Sequence, residues 1–247
     1  MDGATRKDVC LVIGAGEGVG QAIAHRFAAD GHPVCVTRRA RNLAQLDDLA
    51  EAIRAKGGEA YGFGVDARSE AETVALFDHI EREIGPLGVV VFNIGANVQF
   101  GIRDTTARVF TKVWEMACLA GFLAGREAAR VMVPRGRGTI LFTGATASLR
   151  GREGFAAFAA AKHGLRALAQ SMARELGPQG IHVAHVICDG SIDGAFIRSR
   201  VGDTSTLLHD DAILKPEDIA QNYLWLHSQP RSAWSHEIDL RPWREQW

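Results

Sequence analysis

The stretch that most restricts this chain is Val9-Cys-Leu-Val-Ile13, which runs straight into Gly14-Ala-Gly-Glu-Gly18-Val-Gly20 and then into a helical pattern over residues 19–29. A short apolar, β-branched run reads as a buried strand, and the glycines allow a turn too tight for side chains. A helix opening directly from such a turn aims its first backbone N–H groups at whatever lies above the loop. That is the arrangement that cradles a pyrophosphate, and strand, loop and helix occur in the required order.

The rest of the chain repeats the alternation. Strands are expected at 9–13, 34–37, 60–65, 89–93, 139–143, 182–187 and 236–240, and helices at 19–29, 43–56, 70–84, 106–132, 155–176 and 216–226. The fourth helix is long enough to be two. Strand–helix alternation feeds a parallel sheet, so the expected fold is a three-layer α/β Rossmann fold: a doubly wound seven-stranded parallel sheet with helices on both faces. Gly31, Gly57-Gly58, Gly85-Pro86 and Gly177-Pro178 supply helix stops, and no linker composition divides residues 1–247, which predicts a single domain. Residues 194–214 have weak periodicity and read as a long functional loop.

Lys plus Arg is 28 and Asp plus Glu is 29 in 247 residues, so no charge excess favours nucleic acid or a membrane surface. No apolar run approaches the roughly 18 residues of a membrane span, and residues 1–8 are charged rather than signal-like, which gives a cytoplasmic expectation. Cys10, Cys35 and Cys188 sit in apolar runs as small hydrophobes, and no CxxC or His/Cys cluster points to a metal.

The spacing Gly14-x-x-x-Gly18-x-Gly20 resembles the short-chain dehydrogenase/reductase family. Further matches extend over nearly the whole chain: Asp66 after the third strand, Asn93-Ile-Gly95 after the fourth, and Lys162 four residues after Phe158. Asp189-Gly190 stands where the family has Pro-Gly. The resemblance implies that Gly14, Gly16, Glu17, Gly18, Val19 and Gly20 meet the dinucleotide phosphates. It places Asp66 and Ala67 at the adenine, and Asn93, Gly95, Lys162 and Ile192 toward the nicotinamide end.

The second strand ends Thr37-Arg38-Arg39. A carboxylate there would accept from a free ribose 2′-hydroxyl, whereas arginine suits a 2′-phosphate, so Arg38 and Arg39 favour NADP(H) over NAD(H). Glu17 argues the other way, because NADP-preferring relatives often carry a basic residue at that point.

The resembled family reduces or oxidises a substrate with an Asn-Ser-Tyr-Lys tetrad, in which the tyrosine exchanges a proton with the substrate oxygen. Here the tyrosine position holds Phe158, the serine position Ala145 and the asparagine position Cys118; Lys162 alone is retained as a catalytic candidate. The only tyrosines are Tyr61 and Tyr223, and a wider spacing would fall on Phe155. Thr146, Ser148, Asp189 and His209 are the substitute proton carriers considered. Substrate contacts are expected from Phe196, Ile197, Leu207, Leu208 and His209. Two functions stay open: hydride transfer between NADP(H) and a small carbonyl or alcohol with altered proton transfer, or a catalytically silent NADP(H)-binding sensor or partner subunit. An Ala-rich helix over 155–176 and the tryptophans of Arg241-Pro-Trp-Arg-Glu-Gln-Trp247 suggest a homodimer or homotetramer.

Overall fold

The computed structural model describes residues 6–245. In chain order it contains β1 (Val9–Ile13), α1 (Val19–Ala29), β2 (Val34–Arg38), α2 (Leu43–Arg54), β3 (Ala60–Gly64) and α3 (Glu70–His79). Then follow β4 (Leu87–Phe92), α4 (Ala107–Trp114), α5 (Ala120–Met132), β5 (Gly138–Ala145), α6 (Ala156–Leu176) and β6 (Ile181–Cys188). The last elements are α7 (Ala195–Val201), α8 (Ser205–His209), α9 (Pro216–His227) and β7 (Glu237–Leu240).

The strands form one seven-stranded sheet in the order β3-β2-β1-β4-β5-β6-β7, each neighbouring pair parallel. Because helices cover both faces, β1, β4 and β6 are buried along their whole length. The pleat divides their side chains: Cys10 and Val12 join Ile23 and Phe27 of α1, Leu46 of α2 and Tyr223 of α9. Leu11 and Ile13 join Phe77 of α3, Ala124 of α5 and Leu165 of α6 on the other face. Burying each large apolar side chain contributes about 1.5–3 kcal/mol. Burial also raises the Cys10 and Cys35 thiols and pushes Cys188 up to about 12, in keeping with their use as hydrophobes.

The structure sharpens three expectations from the sequence. The helical segment expected over 106–132, long enough to be two helices, is a continuous helical run in which α4 passes into α5 through a π-helical turn at Glu115–Leu119. The wider turn resets the helical phase, so Val113, Ala117 and Cys118 face a small cluster beside the site while Ala120, Ala124 and Ala128 face the sheet. The segment 194–214 is not an irregular loop. It holds α7 and α8, too short for periodicity to reveal, and its base is closed by the parallel bridge Ile192↔Leu214. Finally, α6 ends at Leu176 just before the expected stop Gly177-Pro178, which opens a 3-10 turn over Gly177–Gln179 closed by the left-handed Gly180 (φ 82°).

Candidate active site

The chain leaves β1 toward β2 and β3, then crosses back to β4, so a crevice opens at the carboxyl ends of β1 and β4. Two of the glycines over it have left-handed backbones, Gly14 at φ 93° and Gly18 at φ 96°. At Gly20 the constraint is space: a Cβ there would lie 2.4 Å from the Gly14 carbonyl oxygen and 2.8 Å from the Ala15 Cα. The turn after β4 supports the loop from below, since Asn93 Nδ2 donates to the Gly14 carbonyl at 3.1 Å. Gly18 caps α1 without a side-chain hydrogen bond, and the first turn of the helix has no carboxylate. The positive end of the helix is therefore left to an external anion.

Two connected hollows follow the crevice. The smaller, about 240 Å³, is lined by Gly14, Gly16, Arg38, Arg39, Asp66, Ala67, Asn93 and Gly95 among others. Within it, Arg68 grips both carboxylate oxygens of Asp66 (2.9 and 2.5 Å), which holds Asp66 below the usual carboxylate range. Arg38 donates to Gln45 of α2. The larger hollow, about 1440 Å³, takes in the glycine loop from Gly14 to Gln21, then Lys162, Ile192, Ala145 and Phe158. Every cofactor-site residue expected from the sequence lines one hollow or the other. Glu17 meets Arg198 of α7 at 3.4 Å, and Arg198 also holds Asp193 at 2.7 Å, so the segment after β6 is fastened to the glycine loop.

Lys162 is buried, with 2% exposure, and its Nζ donates to the Thr143 carbonyl at 2.9 Å and the Ile94 carbonyl at 3.1 Å. Burial nonetheless pushes it down to about 8. The Phe158 ring centroid lies 5.9 Å from that nitrogen. Phe158 and Cys118 pack with Ala117, Ala147 and Ala161 in an apolar cluster, and Phe158 also lines the large hollow.

The substitute proton carriers fare poorly. Ser148 is wholly buried and accepts the Ala145 N–H at 3.1 Å, a turn role. Asp189, 1% exposed, is occupied by the Thr146 hydroxyl at 2.6 Å and by Arg150 at 3.2 Å. His209 has an 88% exposed side chain paired with Asp210 and does not line the cleft. Tyr223 is buried behind the sheet against the Thr143 hydroxyl, 2.6 Å away. Of the expected substrate contacts Ile197 lines the cleft, while Leu207 and Leu208 do not. The Phe196 side chain and Trp247 lie outside the described residues.

The sequence did not single out Arg150, Arg152 or Asn97, which line the large hollow together with Phe155. The available signal was the pair Arg150-Gly-Arg152 lying between Ala145 and Phe158. It also missed His185, buried in β6, whose Nδ1 meets Glu237 at 2.9 Å while Nε2 has no partner among the described residues. Nothing in one sequence marks that histidine.

A parallel sheet in this order, with a glycine loop and a buried lysine at one crevice, defines a nucleotide-binding protein of the Rossmann class. Residues 8–204 match the family described as short chain dehydrogenase, and the chain belongs to that family of nicotinamide-dependent oxidoreductases acting on CH–OH or C=O groups. A short-chain dehydrogenase/reductase of Hericium erinaceus is 32% identical over 234 residues, covering 90% of this chain and 91% of the relative. A short-chain dehydrogenase from Rhodopseudomonas palustris is 48% identical with a TM-score of 0.82, over 96% of this chain and 99% of that structure. An actinorhodin polyketide ketoreductase solved with NADPH is 25% identical with a TM-score of 0.85, over 97% of this chain and 98% of the other. No helix among the described residues is long and apolar enough to cross a membrane.

Proposed function

We propose that the protein transfers hydride between NADP(H) and a small carbonyl or alcohol, with proton transfer rerouted from the missing tyrosine to solvent in the cleft. The observation that carries this reading is the buried Lys162 ammonium opening on the same cleft as the uncapped glycine-loop helix. The residues fit a dinucleotide: the loop leaves backbone at its surface, Asn93 fixes the turn, and two carbonyls aim Nζ while leaving it a third proton to donate. The nicotinamide supplies the hydride when bound. Lys162 then binds ribose hydroxyls, Ala145 and Phe158 form an apolar wall beside the reacting carbon, and the cleft orients the substrate. Orientation alone contributes on the order of 7–11 kcal/mol to such reactions.

Arg38 and Arg39 at the adenosine end, with no carboxylate closing β2, support NADP(H) over NAD(H). Assembly as a dimer or tetramer is supported by the exposed aromatics Phe110, Trp114 and Phe122 along α4 and α5, and by Trp243, 73% exposed. The second reading, a silent dinucleotide sensor, draws on Phe158, Ala145 and Cys118 all lacking the family's polar groups. Calorimetric titration with NADP and NAD, followed by NADPH consumption against a panel of aldehydes and ketones, separates these readings. NADP is expected to bind at least about tenfold tighter, the worth of one charge-assisted contact. Equal or tighter NAD binding overturns the cofactor assignment, and binding without turnover of any carbonyl favours the sensor.

A further inference from the structure

The cleft holds a set of guanidinium groups that dinucleotide binding does not use. Arg150 and Arg152, in the segment between β5 and α6, line the same hollow as Ala145, Phe155 and Phe158. Both line the hollow that holds Lys162, whereas Arg38 and Arg39 line the smaller one with Asp66.

Arg150 is held in place. Its two terminal nitrogens donate to the two oxygens of Asp189 at 3.2 Å each, and Thr146 donates to the same carboxylate at 2.6 Å. Asp189 is buried, yet the Arg150 side chain stays 43% exposed. Arg152, two residues further on, is exposed to the cleft and has neither hydrogen-bond nor ion-pair partner among the described residues. Four carboxylates line the hollow, and none of them pairs with Arg152: Asp193 is taken by Arg198 and Thr204, Glu17 by Arg198, Glu245 lies beside Gly190, and Asp48 belongs to α2.

We propose that the substrate is a carbonyl or alcohol compound bearing an acidic group, a carboxylate, phosphate or sulfonate, and that Arg152, beside the Asp189-anchored Arg150, binds that group. The proposal rests on the oxidoreductase reading and adds its substrate class. A planar guanidinium with open donors matches an oxyanion in paired hydrogen bonds, and a neighbour already clamped by a carboxylate keeps the site from collapsing. The apolar wall of Phe155 and Phe158 suits the carbon skeleton between acid and carbonyl.

The test uses the NADP-loaded protein and three probes: 4-formylbenzoate, its methyl ester and 4-formylphenyl phosphate. Calorimetry should find one of the acids binding at least about tenfold tighter than the ester. Arg152→Gln should erase that preference and Arg152→Lys should keep part of it; the tighter acid identifies the chemical source. Equal binding of ester and acids, no binding of either acid, or an unchanged ratio in Arg152→Gln overturns the proposal. With NADPH, the acid-to-ester ratio of kcat/KM should follow the same pattern, carried mainly by KM. If an acid binds in an Arg152-dependent way and no aldehyde is reduced, the oxidoreductase reading fails while the anion site stands.

Discussion

Restoring the missing hydroxyls is the sharpest perturbation of the reaction centre. Phe158→Tyr puts a phenol on a ring that already lines the cleft, with its centroid 5.9 Å from Lys162 Nζ. Taking the 5.9 Å to the ring centroid as a stand-in for the charge separation, at an effective dielectric of about 20, the ammonium would stabilise a phenolate by about 2.8 kcal/mol, roughly a hundredfold in its ionisation constant. Partial burial opposes this, so the figure is an upper bound. Adding Ala145→Ser supplies an oxyanion donor from a backbone already held by Ser148. A general acid is typically worth about 10²–10⁴ in rate and one oxyanion donor about 2.7–4 kcal/mol, but the two act as a unit. The double variant is therefore expected to raise kcat for a carbonyl that the wild type reduces slowly by about a hundredfold or more, with unchanged NADPH affinity. Stopped-time NADPH consumption with a parallel binding titration measures both. A rise below about threefold with intact cofactor binding would refute the idea that the centre lacks only its proton donors.

Two further outcomes follow from the geometry. Gly20→Ala drives a Cβ to 2.4 Å from the Gly14 carbonyl oxygen, whereas at Gly16 the nearest atoms are Arg38 guanidinium atoms at 3.7 Å. The first should cost about 1–3 kcal/mol in urea unfolding and weaken NADP binding, and the second should leave folding intact; equal stability of the two would contradict the close approach. Burial lowers both His185 and His227 to about 4. Between the ordinary value near 6.5 and about 4 the unfolded chain binds protons that the folded one refuses, so stability falls as pH drops through that window. With about 1.4 kcal/mol per pH unit for each histidine, the loss from pH 6.5 to 5 is on the order of 4 kcal/mol at most. A urea midpoint that stays flat from pH 7 to 5 would show that these side chains are protonated in the fold or open to water.

The fold was legible because its causes are local. Five-residue β1 sits where β-branched residues run together, and α1 starts where the glycines end, so period and turn chemistry point to the same answer. The residues expected at a cofactor lie around one crevice for a related reason, since most of them follow a strand end. What escaped was set by long-range packing. The π-helical turn that swings Cys118 into the site cluster has no distinctive residue, and α7 and α8 are too short to show a period. Ser148 and Asp189 looked available for proton transfer because sequence shows identity but not partners. Their hydrogen bonds to Ala145 and to Thr146 and Arg150 decide otherwise.

The three positions expected to carry the family's asparagine, serine and tyrosine sit in different surroundings. Phe158 and Cys118 are 7% and 8% exposed and share an apolar cluster with Val113, Ala117, Ala157 and Ala161. A polar group returned to Cys118 would need a buried partner, since an unsatisfied one costs about 1–3 kcal/mol. Phe158 and Ala145, in contrast, touch the cleft, where solvent can satisfy an added hydroxyl. A hydroxyl introduced at position 118 would therefore meet an apolar cluster, while one at 145 or 158 would face the cleft. Under the proposed function, that asymmetry would put proton exchange on the cleft side of Lys162, where Arg150 and Arg152 also line the hollow.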